Sequence, residues 1–101
     1  MFRKAYILTY DKGLLDNFSY KDFHNQLTTA KGVHNWWHYL DTTYIIIVDS
    51  TTTAKNITDF IMEKMPNKNF FVCEIKLTNH NGWLDQAAWD WINQQTRSGI
   101  Q

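Results

Sequence analysis

The chain has 101 residues, 44% hydrophobic and 16% aromatic, with ten basic residues set against ten acidic ones. That length leaves room for one domain, and that composition excludes a disordered chain, which needs low hydrophobicity and high net charge. The balanced charge removes the overall Lys/Arg excess on which non-specific binding to long nucleic acid rests, and a single cysteine excludes an intramolecular disulfide.

In chain order, Arg3–Tyr10 (RKAYILTY) is rich in β-formers and reads as a first strand, ended by Asp11-Lys12-Gly13, with a loop running on to Asn17. A first helix starts at a Ser19 N-cap, with Asp22 at N3 approximating a capping box and Phe18 and Phe23 placed as a hydrophobic staple. Tyr20, Phe23, Leu27 and Ala30 fall on its apolar face, and Gly32 is the expected stop, since glycine tolerates the left-handed conformation there.

Val33–Leu40 (VHNWWHYL) and residues 43–48 (TYIIIV) have hairpin spacing around Asp41-Thr42. With a two-residue loop, Tyr39 faces Tyr44 and Trp37 faces Ile46 on one side of the sheet. On the other side His38 faces Ile45 and Trp36 faces Ile47, and a slip of one residue exchanges the sides. A second helix runs from a Thr53 cap to Met65 with Ile57, Phe60, Ile61 and Met65 as its stripe, and Pro66 stops it. Residues 69–77 (NFFVCEIKL) read as a fourth strand, with Cys73 expected to be a buried thiol. After a loop over residues 78–82, Leu84, Ala87, Ala88, Trp91 and Ile92 recur at helical spacing, while Trp89 lies off that stripe. Residues 96–101 are expected to be a polar, frayed tail, leaving residues 1–95 as the domain.

The order β-α-β-β-α-β predicts an α+β fold, a ferredoxin-like antiparallel sheet with both helices on one face and an additional C-terminal helix. An antiparallel sheet with one wet face alternates apolar and polar residues. Ile45-Ile46-Ile47-Val48 and Phe70-Phe71-Val72-Cys73 do not alternate. The second face is therefore expected to be covered by the third helix or by another copy of the chain, and a homodimer is the expected state. With no leader-like N-terminus, no apolar stretch of about 18 residues and no lipidation motif, the expectation is a soluble, cytoplasmic protein without a membrane partner.

The runs Tyr6-Ile7-Leu8-Thr9-Tyr10-Asp11, Trp36-Trp37-His38-Tyr39-Leu40-Asp41-Thr42-Thr43, Gly82-Trp83-Leu84 and Trp89-Asp90-Trp91 resemble a family of short bacterial and phage-encoded proteins often labelled "SinR family". The regulator behind that label is a helix-turn-helix protein, and nothing in this chain reads that way. A first strand ending in Tyr10-Asp11 on a ferredoxin-like fold is also similar to the second Cas protein and to VapD-type ribonucleases. That resemblance implies a homodimer and makes Asp11 the ligand of a Mg²⁺ ion if the chain is a nuclease. The Trp-Trp-His-Tyr run and the balanced charge depart from those nucleases.

From the residues alone, Asp11 is either such a ligand, with a carboxylate of a second copy, or a turn aspartate bonded to its own backbone. His38 lies near Asp41, which can orient an imidazole, or it is a half-buried histidine bonded to backbone. Trp36, Trp37, Tyr39 and Tyr44 form either a stacking surface for bases or a core and dimer interface. His24, His34 and His80 lack metal-ligand spacing with each other or with Cys73. The expected function is that of a non-catalytic homodimeric binding protein. Its nucleotide or short nucleic acid would lie among Tyr10, Asp11, Trp36, Trp37, His38, Tyr39, Asp41 and Tyr44, with no cofactor, and a phage-encoded member would sequester a signalling nucleotide. The alternatives are a metal-dependent nuclease using Asp11 and a protein–protein adaptor.

Overall fold

A computed structural model describes residues 3–12 and 18–98. The predicted loop through Gly13 to Asn17 and the last residues of the predicted tail lie outside the described residues. Along the rest, β1 (Arg3–Tyr10), α1 (Tyr20–Thr28), β2 (Val33–Leu40), β3 (Thr43–Asp49), α2 (Ala54–Lys64), β4 (Phe70–Ile75) and α3 (Gln86–Arg97) follow one another. The strands form one four-stranded sheet in the order β2-β3-β1-β4, and every neighbouring pair is antiparallel. The chain is an α+β protein with β2 and β4 as sheet edges.

Local chemistry explains the helix bounds. The Ser19 hydroxyl accepts from the Asp22 N–H at 3.2 Å, and the Phe18 and Phe23 rings lie 6.1 Å apart, as a staple requires. α1 nevertheless ends before Gly32. The Thr28 hydroxyl donates to the His24 carbonyl at 2.8 Å and the Thr29 hydroxyl to the Asn25 carbonyl at 2.6 Å, bonds that compete with helix propagation. Gly32 instead takes φ +90° in the turn into β2, where its carbonyl accepts from the Asp49 N–H at 3.1 Å. α2 carries a full capping box between Thr53 and Asn56 and ends at Met65, one residue before the proline.

The sheet is packed on both faces. On the inner face α1 and α2 bring Phe23, Leu27, Ile57 and Ile61 against Tyr6, Leu8, Tyr44 and Ile46. On the outer face α3 lays Ala88 and Ile92 over Ala5, Trp37, Ile45 and Ile47, with Leu77 closing the cluster. Of the two covers the double-sided apolar strands allowed, the third helix is thus present within the chain. It extends past the predicted tail boundary, to Arg97, where the Thr96 hydroxyl lies 3.3 Å from the Leu77 carbonyl and ties the last turn to the segment after β4. Trp89, off the predicted stripe, also packs on this cluster and stacks on His80 at 5.6 Å.

α3 leaves part of the outer face open. On β4, Phe71 and Cys73 pair with Thr9 and Ile7. Phe71 is 62% exposed, and Cys73 is exposed rather than buried, which corrects the expectation from its apolar neighbours. An edge strand whose outer side the third helix does not reach keeps its alternate side chains in water.

The hairpin differs in register. Its loop has two residues, since Leu40 pairs with Thr43. An irregularity between Trp37 and Leu40 then shifts the pairing, so Trp37 faces Ile45 and Trp36 faces Ile46. One extra residue in β2 opposite Tyr44 is a β-bulge, and it exchanges the faces of residues 35–37 relative to the predicted pairing, up to a second shift between Val33 and Asn35. Trp37 therefore belongs to the outer face with Ile45, and Tyr44 to the inner face with Ile46, contrary to the predicted Tyr39–Tyr44 and Trp37–Ile46 side. No helix among the described residues is long and apolar enough to cross a membrane.

Candidate functional site

The eight residues expected to line one groove are distributed over three places. Trp37 is a core residue of the outer face, 3% exposed, whose indole N–H donates to the Ala88 carbonyl at 3.3 Å. Tyr39 lies beside it, with ring centroids 5.5 Å apart. Tyr10 and Asp41 meet where β1 ends beside the hairpin loop, and Asp11 follows there, bonded towards β4. Trp36, His38 and Tyr44 lie on the inner face at the β2 edge. Strand alternation puts Trp36 and Trp37 on opposite faces, and the bulge leaves Tyr44 on the face of Trp36, so no single stacking surface holds Trp36, Trp37, Tyr39 and Tyr44.

At the β2 edge, α1 contributes a fourth ring that the sequence did not point to. The Nδ1 of His24 lies 2.7 Å from the Tyr44 hydroxyl, and its ring meets Trp36 edge-on at 4.7 Å. His38 stacks face to face on Tyr44, with centroids 3.8 Å apart and planes 2° from parallel. Its Nδ1 is 2.9 Å from the Thr43 carbonyl. A carbonyl only accepts, so Nδ1 of His38 carries a proton. This is the backbone-bonded histidine that the sequence allowed, its Nδ1 held by Thr43 rather than by Asp41. Trp36 remains 39% exposed above this layer. His24 was missed because its partner lies on β3, and no local pattern in α1 announces a contact across the sheet.

Burial, and then the neighbouring His38, hold the His24 pKa below the usual histidine range. A depressed folded pKa means that the unfolded chain binds the proton more readily. The corresponding stability is whole above the unfolded value and is lost as pH falls through the folded one. Acidification from pH 7.5 to pH 5 is expected to lower the urea midpoint of the wild type more than that of His24→Gln. Equal slopes for the two proteins would sink this assignment.

At the end of β1, the Tyr10 hydroxyl donates to the Asp41 carbonyl at 3.2 Å. Lys12 bonds both carboxylate oxygens of Asp41, at 3.1 and 3.2 Å, and its ammonium lies 5.1 Å from the centroid of the Tyr20 ring. Tyr20 in turn stacks on Tyr10 at 5.8 Å, and Lys68 approaches the same ring at 5.5 Å. Burial pushes the Tyr10 phenol up to about 12, with Asp41 and Tyr20 adding to the effect. Asp11 is exposed, and its backbone N–H donates to the Asn69 carbonyl at 3.1 Å.

A hard divalent cation takes about six oxygen ligands. Among the described residues no group of three or more His, Cys, Asp or Glu side chains is placed to share an ion. Asp11 belongs to no such group within one chain, and the Mg²⁺ site that the nuclease resemblance implies would need a carboxylate of a second copy.

The remaining exposed apolar side chains gather mostly on the open part of the outer face. Leu40 is 49% exposed there, Phe71 stands across the sheet, and Trp83 is 98% exposed in the loop before α3. Between that loop, α3 and the sheet lies a groove of about 480 Å³ floored by Ile7, Trp37, Ile45 and Ile92. A second cleft, about 270 Å³, opens between α1 and α2, with Leu27, Ile46 and Ile57 inside and Lys31, Thr51 and Asn56 among its polar residues. Compared with protein-family models, with curated proteins and with solved structures, the chain matches none.

Proposed function

We propose that the chain is a non-catalytic binding protein of ferredoxin-like architecture that works as a homodimer and holds a nucleotide or short nucleic acid at the β2 edge. Two interleaved β-α-β units support the architecture: β1 and β2 flank β3, and β3 and β4 flank β1. Such an arrangement agrees with the resemblance to the "SinR family" proteins and to the second Cas protein.

The distribution of exposed large apolar side chains carries the functional reading. Apart from Met62 on α2, they fall at two places, Trp36 on the β2 edge and the group Tyr39, Leu40, Phe71 and Trp83 on or beside the open outer face. Grouped apolar exposure of this kind marks interaction surfaces. The first place suits a base: a half-exposed indole met edge-on by His24, whose ring lies 5.9 Å from that of His38. Stacking of one base on such a ring contributes about 1–3 kcal/mol. The second place suits a protein surface, and a second copy is its simplest occupant.

Native mass spectrometry of the full chain, alone and with mono-, di- and cyclic nucleotides, tests both parts. The expected result is a dimer that gains the intact mass of a nucleotide, with uptake weakened roughly tenfold in Trp36→Ala. A dimer indifferent to every nucleotide would overturn the ligand, and a monomer would overturn the pairing.

A further inference from the structure

Trp83 is the most exposed large side chain of the described residues, with 98% of its surface in water. It stands at the lip of the 480 Å³ groove whose floor is Ile7, Trp37, Ile45 and Ile92. An indole has a large apolar area to remove from water and one N–H to satisfy, which makes tryptophan a frequent anchor at the centre of protein interfaces. Here the anchor and a cavity of matching character lie on one face of one molecule. A two-fold axis through that face would bring each anchor to the other copy's cavity, since an isologous interface needs a patch complementary to itself.

Charge selects the same occupant. Lys76 lines the groove, and Asp85 lies two residues beyond Trp83. Asp85 precedes α3 without making a side-chain cap hydrogen bond. Neither Lys76 nor Asp85 has an ion-pair partner among the described residues. An indole inserted from a second copy would carry its own Asp85 towards Lys76, and the symmetry repeats the pair. Net charge zero for the chain adds no repulsion between copies.

We infer that Trp83 is the knob of a two-fold interface, its indole seated in the groove of a second copy and flanked by reciprocal Lys76–Asp85 pairs. The inference rests on the homodimer reading and adds where the copies meet. Trp83→Ala removes a side chain that makes almost no contact within its own chain, so the fold is expected to survive, which circular dichroism checks. Sedimentation equilibrium across the micromolar range then reads the association. The expected result is a wild-type dimer whose dissociation constant rises at least roughly tenfold in Trp83→Ala. Lys76→Glu and Asp85→Lys should each weaken the dimer, and the double exchange should restore part of the loss. A wild-type dimer unmoved by Trp83→Ala would overturn the inference and leave the homodimer standing. A wild-type monomer would overturn both and leave the groove to another occupant.

Discussion

Replacing Trp37 by alanine is expected to cost about 3–5 kcal/mol of stability before it alters any ligand affinity. Trp37 carries β2 into the outer core, where it packs with Ala88 and Ile92 of α3 and with Ile45 and Ile47 of the sheet. Its indole N–H also holds the Ala88 carbonyl. The alanine variant opens a cavity under α3 and removes that bond. Domains of this size are typically stable by about 5–15 kcal/mol, so the variant should be close to unfolded at ambient temperature or should expose Ile45 and Ile47 to a hydrophobic dye. Trp37→Phe keeps most of the packing and loses the hydrogen bond, for an expected cost of about 1–2 kcal/mol. Urea unfolding followed by circular dichroism measures both. A Trp37→Ala protein within about 1 kcal/mol of wild type would mean that the third helix is not seated on this ring.

That outcome separates two tryptophans that the sequence places on opposite sides of β2 without saying which side is core. Alternation along a strand is legible from residue types, but which face each residue joins depends on its partner strand, and a bulge leaves no compositional mark in Trp37-His38-Tyr39-Leu40. The element order was legible because each boundary has its own local chemistry: the Ser19 and Thr53 caps, the Asp41-Thr42 loop and Pro66. Apolar residues on both sides of β3 correctly announced a second cover, because burial on two faces is a property of one strand. The exposure of Cys73 was not legible, since its neighbours are those of a core strand and only the reach of α3 decides the matter. His24 and Lys12 stayed hidden for a related reason. Each meets a partner across at least 20 residues of sequence, His24 through Tyr44 and Lys12 through Asp41, and charge or periodicity within one element carries no record of such a meeting.

Alkaline pH is expected to dismantle the inner core through its tyrosines. Tyr10 and Tyr44 are buried, with ring centroids 6.5 Å apart. Burial pushes the Tyr10 phenol up to about 12 and raises that of Tyr44 as well, each ring's proximity to another phenol adding to the effect. Tyr6, beneath α2, is raised for the same first reason. A phenol whose folded pKa exceeds its unfolded value of about 10 stays protonated in the fold while the unfolded chain ionises. The stability it contributes is therefore whole below about pH 10 and falls as pH rises towards the folded value. At about 1.4 kcal/mol per pKa unit, Tyr10 alone removes roughly 2–3 kcal/mol once both states are past titration. The urea midpoint of the wild type should drop steeply between pH 10 and pH 12, with phenolate absorbance rising in the same transition as the loss of circular dichroism. The double variant Tyr10→Phe, Tyr44→Phe should start lower at pH 7, because it gives up the bonds to Asp41 and His24, and should fall less steeply over that interval. Phenolate absorbance that develops near pH 10 with the fold intact in the wild type and is missing from the double variant would show these two hydroxyls open to water, and the stacked layer of Tyr44 and His38 would then not be sealed.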